Sequence, residues 1–172
     1  MSEDAPRFFG KFRGTVMNNI DPMGMGRIQV QVPDVSGLVP GSWAMPCFPF
    51  ASMQLGFYAL PQIGGGVWVE FEQGNPDYPI WSGCWYGSRA DVPALVTATP
   101  PAVPVVVMQT QGQTTLLLSD LPGPTGGILI KTMSGAMISI NDVALTISNG
   151  KGASIVMAGP VVAINGTALT VT

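Results

Sequence analysis

The final quarter of this sequence is a ladder of short β-strand patterns, and that ladder limits how the chain can fold. From Ile128 onward, two aliphatic residues spaced two apart recur between turns rich in Gly, Asn and Asp. This spacing places both members of a pair on one face of a strand. The pairs are Ile128/Ile130, Ile138/Ile140, Leu145/Ile147, Ile155/Met157, Val162/Ile164 and Leu169/Val171.

Successive pairs also recur at a fixed interval. Ile128, Leu145 and Val162 are seventeen residues apart, as are Ile138 and Ile155. A constant period across strands is typical of a stacked, quasi-one-dimensional β structure. The strand patterns are interrupted by dipeptides that favour turns: Ser134-Gly135, Asn141-Asp142, Asn149-Gly150, Gly159-Pro160 and Asn165-Gly166.

A single chain lacks the apolar surface to stabilise such a rod. Burial of the paired aliphatics gives too little free energy to balance the conformational entropy lost on ordering residues 128–172. The strand edges of an isolated ribbon would also stay unpaired. Both deficits vanish if identical chains wrap around one axis and pair their strands with one another. Three is the smallest number that closes a prism, so we predict a homotrimer with the pairs from Ile128/Ile130 to Val162/Ile164 as its core. A single-chain β-helix or one half of a sandwich is the alternative.

The composition supports a covered surface. Only 10% of the residues are charged and 47% are hydrophobic, so a monomer would expose too much apolar area. No apolar run reaches the length of a membrane span, and the acidic N-terminus lacks the apolar region of a signal peptide. The net charge of −3, with seven Lys and Arg residues, argues against a nucleic-acid surface. We therefore expect the apolar residues to be covered by other protein.

Residues that could perform catalysis are scarce. The chain has no histidine, which removes the commonest general base and metal ligand. Glu70 and Glu72 alternate along a predicted strand and are expected to face solvent or a neighbouring subunit. Cys47 and Cys84 lie in apolar surroundings and are predicted to be buried free thiols. We expect no enzymatic activity, no cofactor and no metal site.

The first half of the chain has a different pattern. Residues from about Phe8 to Tyr86 show short alternating strands and no helical period, which indicates an all-β domain. The predicted strands are Phe12–Met17, Arg27–Val32, Trp43–Phe48, Val67–Phe71 and Ile80–Tyr86. Five strands in this length favour a small closed barrel of the OB type, although an SH3-like barrel has a similar strand count.

Several motifs in order resemble one family. Residues 21–33 read DPMGMGRIQVQVP, residues 74–76 read GNP, residues 78–83 read YPIWSG and residues 149–155 read NGKGASI. These resemble the phage central-spike family, which includes baseplate assembly protein V and the OB region of VgrG proteins. The resemblance implies an OB-fold domain (10–88) and an intertwined trimeric β-helix spike (105–172), with residues 1–9 as an N-terminal arm outside it. The prolines between the two halves predict an extended linker (89–104).

The resemblance also implies a function. Such a protein is the structural central spike of a contractile tail baseplate and pierces the target envelope when the sheath contracts. Its partners would be tail hub and baseplate proteins around a ring of OB domains, with only transient contact with the target membrane. We expect a virion tail or an injection particle as its location, after synthesis in the bacterial cytoplasm.

Two further expectations concern the end of the rod and an alternative function. No His-x-His tip motif is present, so a separate PAAR-type tip protein is expected to dock on Leu169, Thr170, Val171 and Thr172. The alternative is an OB-fold nucleic-acid-binding protein, with Trp68, Trp81, Trp85 and Tyr86 as stacking platforms. The acidic balance and the absence of nearby basic residues in the sequence argue against it.

Overall fold

A computed structural model of the chain describes residues 6–39, 41–166 and 168–171. The chain divides into two compact units, Met1–Ser88 and Arg89–Thr172, each built around its own sheet. In the described ranges, neither short helix has the length and apolar character needed to span a bilayer.

The first unit is a closed barrel. Its strands are β1 (Phe12–Asn18), β2 (Ile28–Gln31), β3 (Trp43–Pro46), β4 (Ala51–Ser52), β5 (Leu55–Gly56), β6 (Gly66–Phe71) and β7 (Pro79–Trp85). Five of them close the barrel in the order β1-β2-β3-β7-β6. Neighbouring strands are antiparallel, except that β3 and β7 are parallel. This arrangement confirms the prediction of an all-β chain with an N-terminal five-stranded barrel, and the strand limits agree to within two residues.

Alternation along the strands builds the barrel core. Residues two apart on β2 and β6 point to the same side, so Ile28 and Val30 meet Val67 and Val69 inside the barrel. Each such aliphatic side chain stabilises the fold by about 1.5–3 kcal/mol when it is fully buried. The buried core consists of Val16, Ile28, Val30, Val32, Ala44, Val67, Val69 and Trp81.

Short elements outside the barrel strands were not predictable from periodicity. Helix α1 spans Pro33–Ser36, β4 and β5 form a two-stranded hairpin, and a 3₁₀ turn spans Glu72–Gly74. Pro33 suits the first turn of α1 because its ring fixes φ and its missing N–H has no helical partner there. Glu72 begins the 3₁₀ turn, so it does not lie on the strand as predicted.

The Pro-rich segment before the second sheet is not uniformly extended. Residues Arg89–Asp91 form a 3₁₀ turn, and helix α2 spans Ala94–Ala98. Pro93 lies just before the first helical residue, and Pro100 follows the C-cap Thr99, so the prolines bound the helix without interrupting it. The prediction of an extended linker over 89–104 is corrected accordingly.

The second unit is one eight-stranded antiparallel sheet in which each strand pairs with the next along the chain. The prediction that these strands pair between chains is therefore wrong, because each strand is hydrogen-bonded to its neighbours within one chain. Only the outer edges of the first and last strands lack a partner in the described part of the sheet. The strands are β8 (Val105–Gln109), β9 (Thr115–Ser119), β10 (Gly127–Lys131), β11 (Met137–Ile140), β12 (Leu145–Ser148), β13 (Ser154–Ala158), β14 (Val161–Ile164) and β15 (Leu169–Val171).

Turns at one side of this sheet lie directly against each other. Gly150 has a φ of +69°, and a Cβ atom there would lie 2.6 Å from the carbonyl carbon of Gly135 and 2.7 Å from the backbone nitrogen of Ala136. Only glycine satisfies both the left-handed conformation and this close backbone approach. The turn after β12 can therefore pack against the turn after β10.

Candidate functional site

The paired aliphatic residues form one continuous face of the eight-stranded sheet. The strand register aligns them in two rows that cross the sheet; together these rows are called the apolar face. The first row contains Val106, Leu118, Ile128, Ile140, Leu145, Met157 and Val162. The second contains Met108, Leu116, Ile130, Ile138, Ile147, Ile155, Ile164 and Leu169.

Each predicted core residue of the rod lies in one of these two rows. Sequence reasoning missed the contribution of β8 and β9, although Val106/Met108 and Leu116/Leu118 have the same spacing of two. Members of the same row on neighbouring strands pair directly. Ile147, for example, lies between Ile138 and Ile155. The apolar face thus extends across all eight strands.

In a single chain much of the apolar face is open to solvent. Ile130 is 48% exposed, Ile147 40% and Met157 42%. In contrast, the intervening residues Leu129 and Ser139 on the other side of the strands are half-buried. A row of exposed large aliphatics on regular strands marks an interaction surface.

Three of the four residues predicted to dock a tip lie on the last strand, β15. Leu169 pairs with Ile164, and the backbones of Thr170 and Val171 continue the ladder with β14. Strand β15 is an edge strand, so its outer backbone groups have no partner among the described residues. Thr172 lies outside the described residues.

Asparagine side chains hold the turns of this sheet. The Oδ1 atom of Asn149 accepts hydrogen bonds from the backbone N–H groups of Lys151 (2.8 Å) and Ala153 (3.1 Å). Asn141 binds the N–H groups of Val143 and Ala144 in the same way. These bonds satisfy backbone donors where the strand ladder stops, so the strand ends are fixed locally.

In the barrel, one carboxylate organises the loop between β1 and β2. Asp21 accepts hydrogen bonds from Nε and Nη2 of Arg27 at 3.0 and 2.7 Å, and from the N–H groups of Met23, Met25 and Arg27. The Arg27 guanidinium, helped by these backbone donors, holds the pKa of Asp21 well below its ordinary value. The Asp-Pro…Gly-Arg motif is thus a structural clamp that fixes this loop.

The aromatic residues proposed as stacking platforms have different environments. Trp81 is 5% exposed and donates its Nε1–H to the Gly26 carbonyl, so it belongs to the core. The Arg13 guanidinium carbon lies 5.7 Å from the ring centroid of Trp68 and 5.1 Å from that of Trp85. The expectation that no basic residue lies near these aromatics is therefore wrong. Arg13 was missed because it comes from β1, far from both tryptophans in sequence.

The remaining polar candidates have structural partners or are scattered. Lys11 Nζ lies 3.2 Å from Glu70 Oε1, and hydrogen bonds from Lys11 and Ser82 hold the pKa of Glu70 below its ordinary value. Cys47 and Cys84 are free but exposed, which corrects their predicted burial. Cys47 directly follows β3, and Cys84 lies on β7. Among the described residues, no group of three or more His, Cys, Asp or Glu side chains is placed to hold a metal ion.

Comparison with known proteins agrees with this two-part architecture. The family model described as the type VI secretion system/phage-baseplate injector OB domain matches residues 12–86. The model described as the phage baseplate V C-terminal trimerisation domain matches residues 105–170. No curated protein matches the chain. The two family models together cover most of the sequence, in the order and at the positions of the barrel and the sheet, and the chain belongs to the phage baseplate V family of baseplate and injector proteins.

Proposed function

We propose that this protein is the central spike of a contractile tail baseplate and that it pierces the target envelope when the sheath contracts. Three copies would pack the apolar faces of their sheets around one axis and form a β-prism. The observation that carries this proposal is the apolar face itself, which runs across eight strands and is open in one chain. The match of residues 105–170 to a trimerisation domain supports the same assembly.

The proposed spike acts as a stiff rod that transmits the force of sheath contraction. Strands spaced about 4.8 Å apart make each eight-stranded sheet of the prism roughly 34 Å long in the stacking direction. Its strands are hydrogen-bonded within each chain, and its axis would be filled with aliphatic side chains that exclude water. Such a rod transmits force without an active site, so we propose no catalytic role.

The proposed partners follow from the two units. The barrels bind hub and baseplate proteins of the tail, and the target membrane is contacted only in transit. At β15, a separate tip protein of the PAAR type adds strands to the open edge at Leu169–Val171. The protein is made in the bacterial cytoplasm and acts in an assembled tail or injection particle.

Imaging the assembled tail particle tests the proposal. Electron cryomicroscopy of particles that carry this chain should show three copies on the tail axis at the baseplate. Omission of the chain should yield tails that do not permeabilise target cells on contraction. A peripheral position, or full permeabilisation without the chain, would contradict the proposed function.

A further inference from the structure

An arginine on the outer surface of the barrel lies over two neighbouring indole rings. Arg13 on β1 lies opposite Trp68 on β6, and Trp85 on β7 lies opposite Gly66 on β6. The two indole centroids are 6.5 Å apart, and the guanidinium carbon lies within 6 Å of both. Arg13 is exposed, whereas both tryptophans are half-buried.

The aromatic part of this cluster is fixed by its surroundings. Trp85 donates its Nε1–H to the Val67 carbonyl at 3.3 Å. Its ring lies so close to Gly66 that a Cβ atom there would be 2.5–2.8 Å from three ring atoms. The position of Trp85 is therefore set by a hydrogen bond and by the glycine beneath it. Guanidinium stacking on such rings limits its orientations before any ligand binds.

A second arginine of the same barrel provides an internal comparison. Arg27 also lies over an indole, 5.4 Å from the centroid of Trp43, but it gives two donors to the Asp21 carboxylate. Arg13 forms no ion pair with a carboxylate of the described residues. Within the described part of the chain, the guanidinium N–H donors of Arg13 thus lack a carboxylate partner like the one that Asp21 provides for Arg27.

We propose that Arg13, Trp68 and Trp85 form a docking point for a carboxylate on an acidic, partly apolar segment of a neighbouring tail protein. The guanidinium fork binds a carboxylate through two parallel hydrogen bonds, and the indole rings exclude water from that pair. Arginine and tryptophan are also the residue types that dominate binding at protein interfaces. The inference rests on the proposed function, because it assigns a site to the contact between the barrel and its neighbours in the tail.

The charges around the cluster favour a carboxylate over a polyphosphate. The whole chain contains seven Lys and Arg residues and ten Asp and Glu residues. The cation nearest in sequence, Lys11, is engaged by Glu70, whose carboxylate lies two residues from Trp68 on the same face of β6. A nucleic-acid strand needs several phosphate contacts and would meet this carboxylate, whereas a single acidic side chain needs only Arg13.

The test is charge reversal in the complete tail assembly. Arg13→Glu should lower the yield of assembled particles about tenfold or more, as expected for repulsion at a desolvated ion pair. Arg7→Glu makes the same charge change elsewhere on the barrel and should assemble normally. Arg13→Gln, a neutral change at an exposed position, should also lower the yield of assembled particles. It provides the test if charge reversal in Arg13→Glu prevents folding. Native mass and thermal unfolding of each purified variant should match the unsubstituted protein.

Second-site suppressors of Arg13→Glu identify the occupant. We expect replacements of Asp or Glu by Lys or Arg in another protein of the tail. Suppressors at acidic residues of this same chain would overturn the proposal in favour of contact between copies. Normal assembly of Arg13→Glu would overturn it as well, as would salt-sensitive binding of a thirty-nucleotide oligo-dT that depends on Arg13. A different result would contradict the proposed function itself, namely that the unsubstituted chain is not incorporated on the tail axis.

Discussion

A charge placed in the middle of the apolar face should prevent assembly. Ile147 lies between Ile138 and Ile155 in the register and is 40% exposed in one chain. That exposure leaves about 70 Å² of side chain in water, so covering it contributes about 2 kcal/mol per chain at 25 cal/mol per Å². Ile147→Asp removes this contribution from each of the three copies.

The substitution also buries carboxylates without partners. An unpaired charge in an apolar interior costs several kcal/mol, even when it is relieved by protonation. Three copies at one level of the axis should therefore weaken the trimer by more than about 10 kcal/mol in total. We predict a monomer at micromolar concentration in native mass spectrometry or light scattering.

The matched control is the neighbouring position on the other face of β12. The Oγ atom of Ser148 accepts a hydrogen bond from the Gly150 N–H at 3.1 Å, and an aspartate oxygen can accept the same bond. Ser148→Asp should thus remain trimeric, as should Ile147→Val, which only trims one methyl group. A trimer for Ile147→Asp, or equal behaviour of the two aspartate variants, would refute the assignment of the inward face.

Three further predictions concern the tip, the loop clamp and a turn. Deletion of residues 169–172 should leave the trimer intact but abolish co-purification of the tip protein; retention of the tip would contradict the docking proposal. Because Arg27 lowers the pKa of Asp21 in the folded state, the stabilisation is present above the unfolded pKa of about 4 and is lost as the pH falls below it. Asp21→Asn should therefore lower the melting temperature at pH 7, and the difference should shrink at pH 2; an unchanged difference would refute this linkage. Gly150→Ala should destabilise the sheet by about 1–3 kcal/mol more than Gly152→Ala in chemical denaturation, since both have positive φ but only Gly150 meets backbone atoms; equal losses would contradict the packed turns.

The apolar face could be predicted from the sequence because the spacing of two between aliphatic residues on a strand is a local property. Pairs such as Ile138/Ile140 must share a face in any β arrangement. The same alternation is compatible with pairing within one chain or between chains, so it could not decide which occurs. The hydrogen-bonding pattern of the sheet decides it, through direct registers such as Ile138 with Ile147.

The Arg13 cluster could not be predicted, because it depends on three strands and on one irregularity. The register between β6 and β7 shifts between Val67 and Val69, and this shift places Trp85 opposite Gly66. Alternation alone does not reveal such a bulge. Helix α2 was missed for another reason, since five helical residues between prolines are too short to show a helical period.

The mass of the native particle tests the central claim most directly. Three apolar faces packed around one axis require a species of three times 18.0 kDa that persists on dilution. Native mass spectrometry of the complete chain over nanomolar to micromolar concentrations should show this trimer throughout. A monomer at micromolar concentration, with its sheet folded and its apolar face open to solvent, would contradict the account.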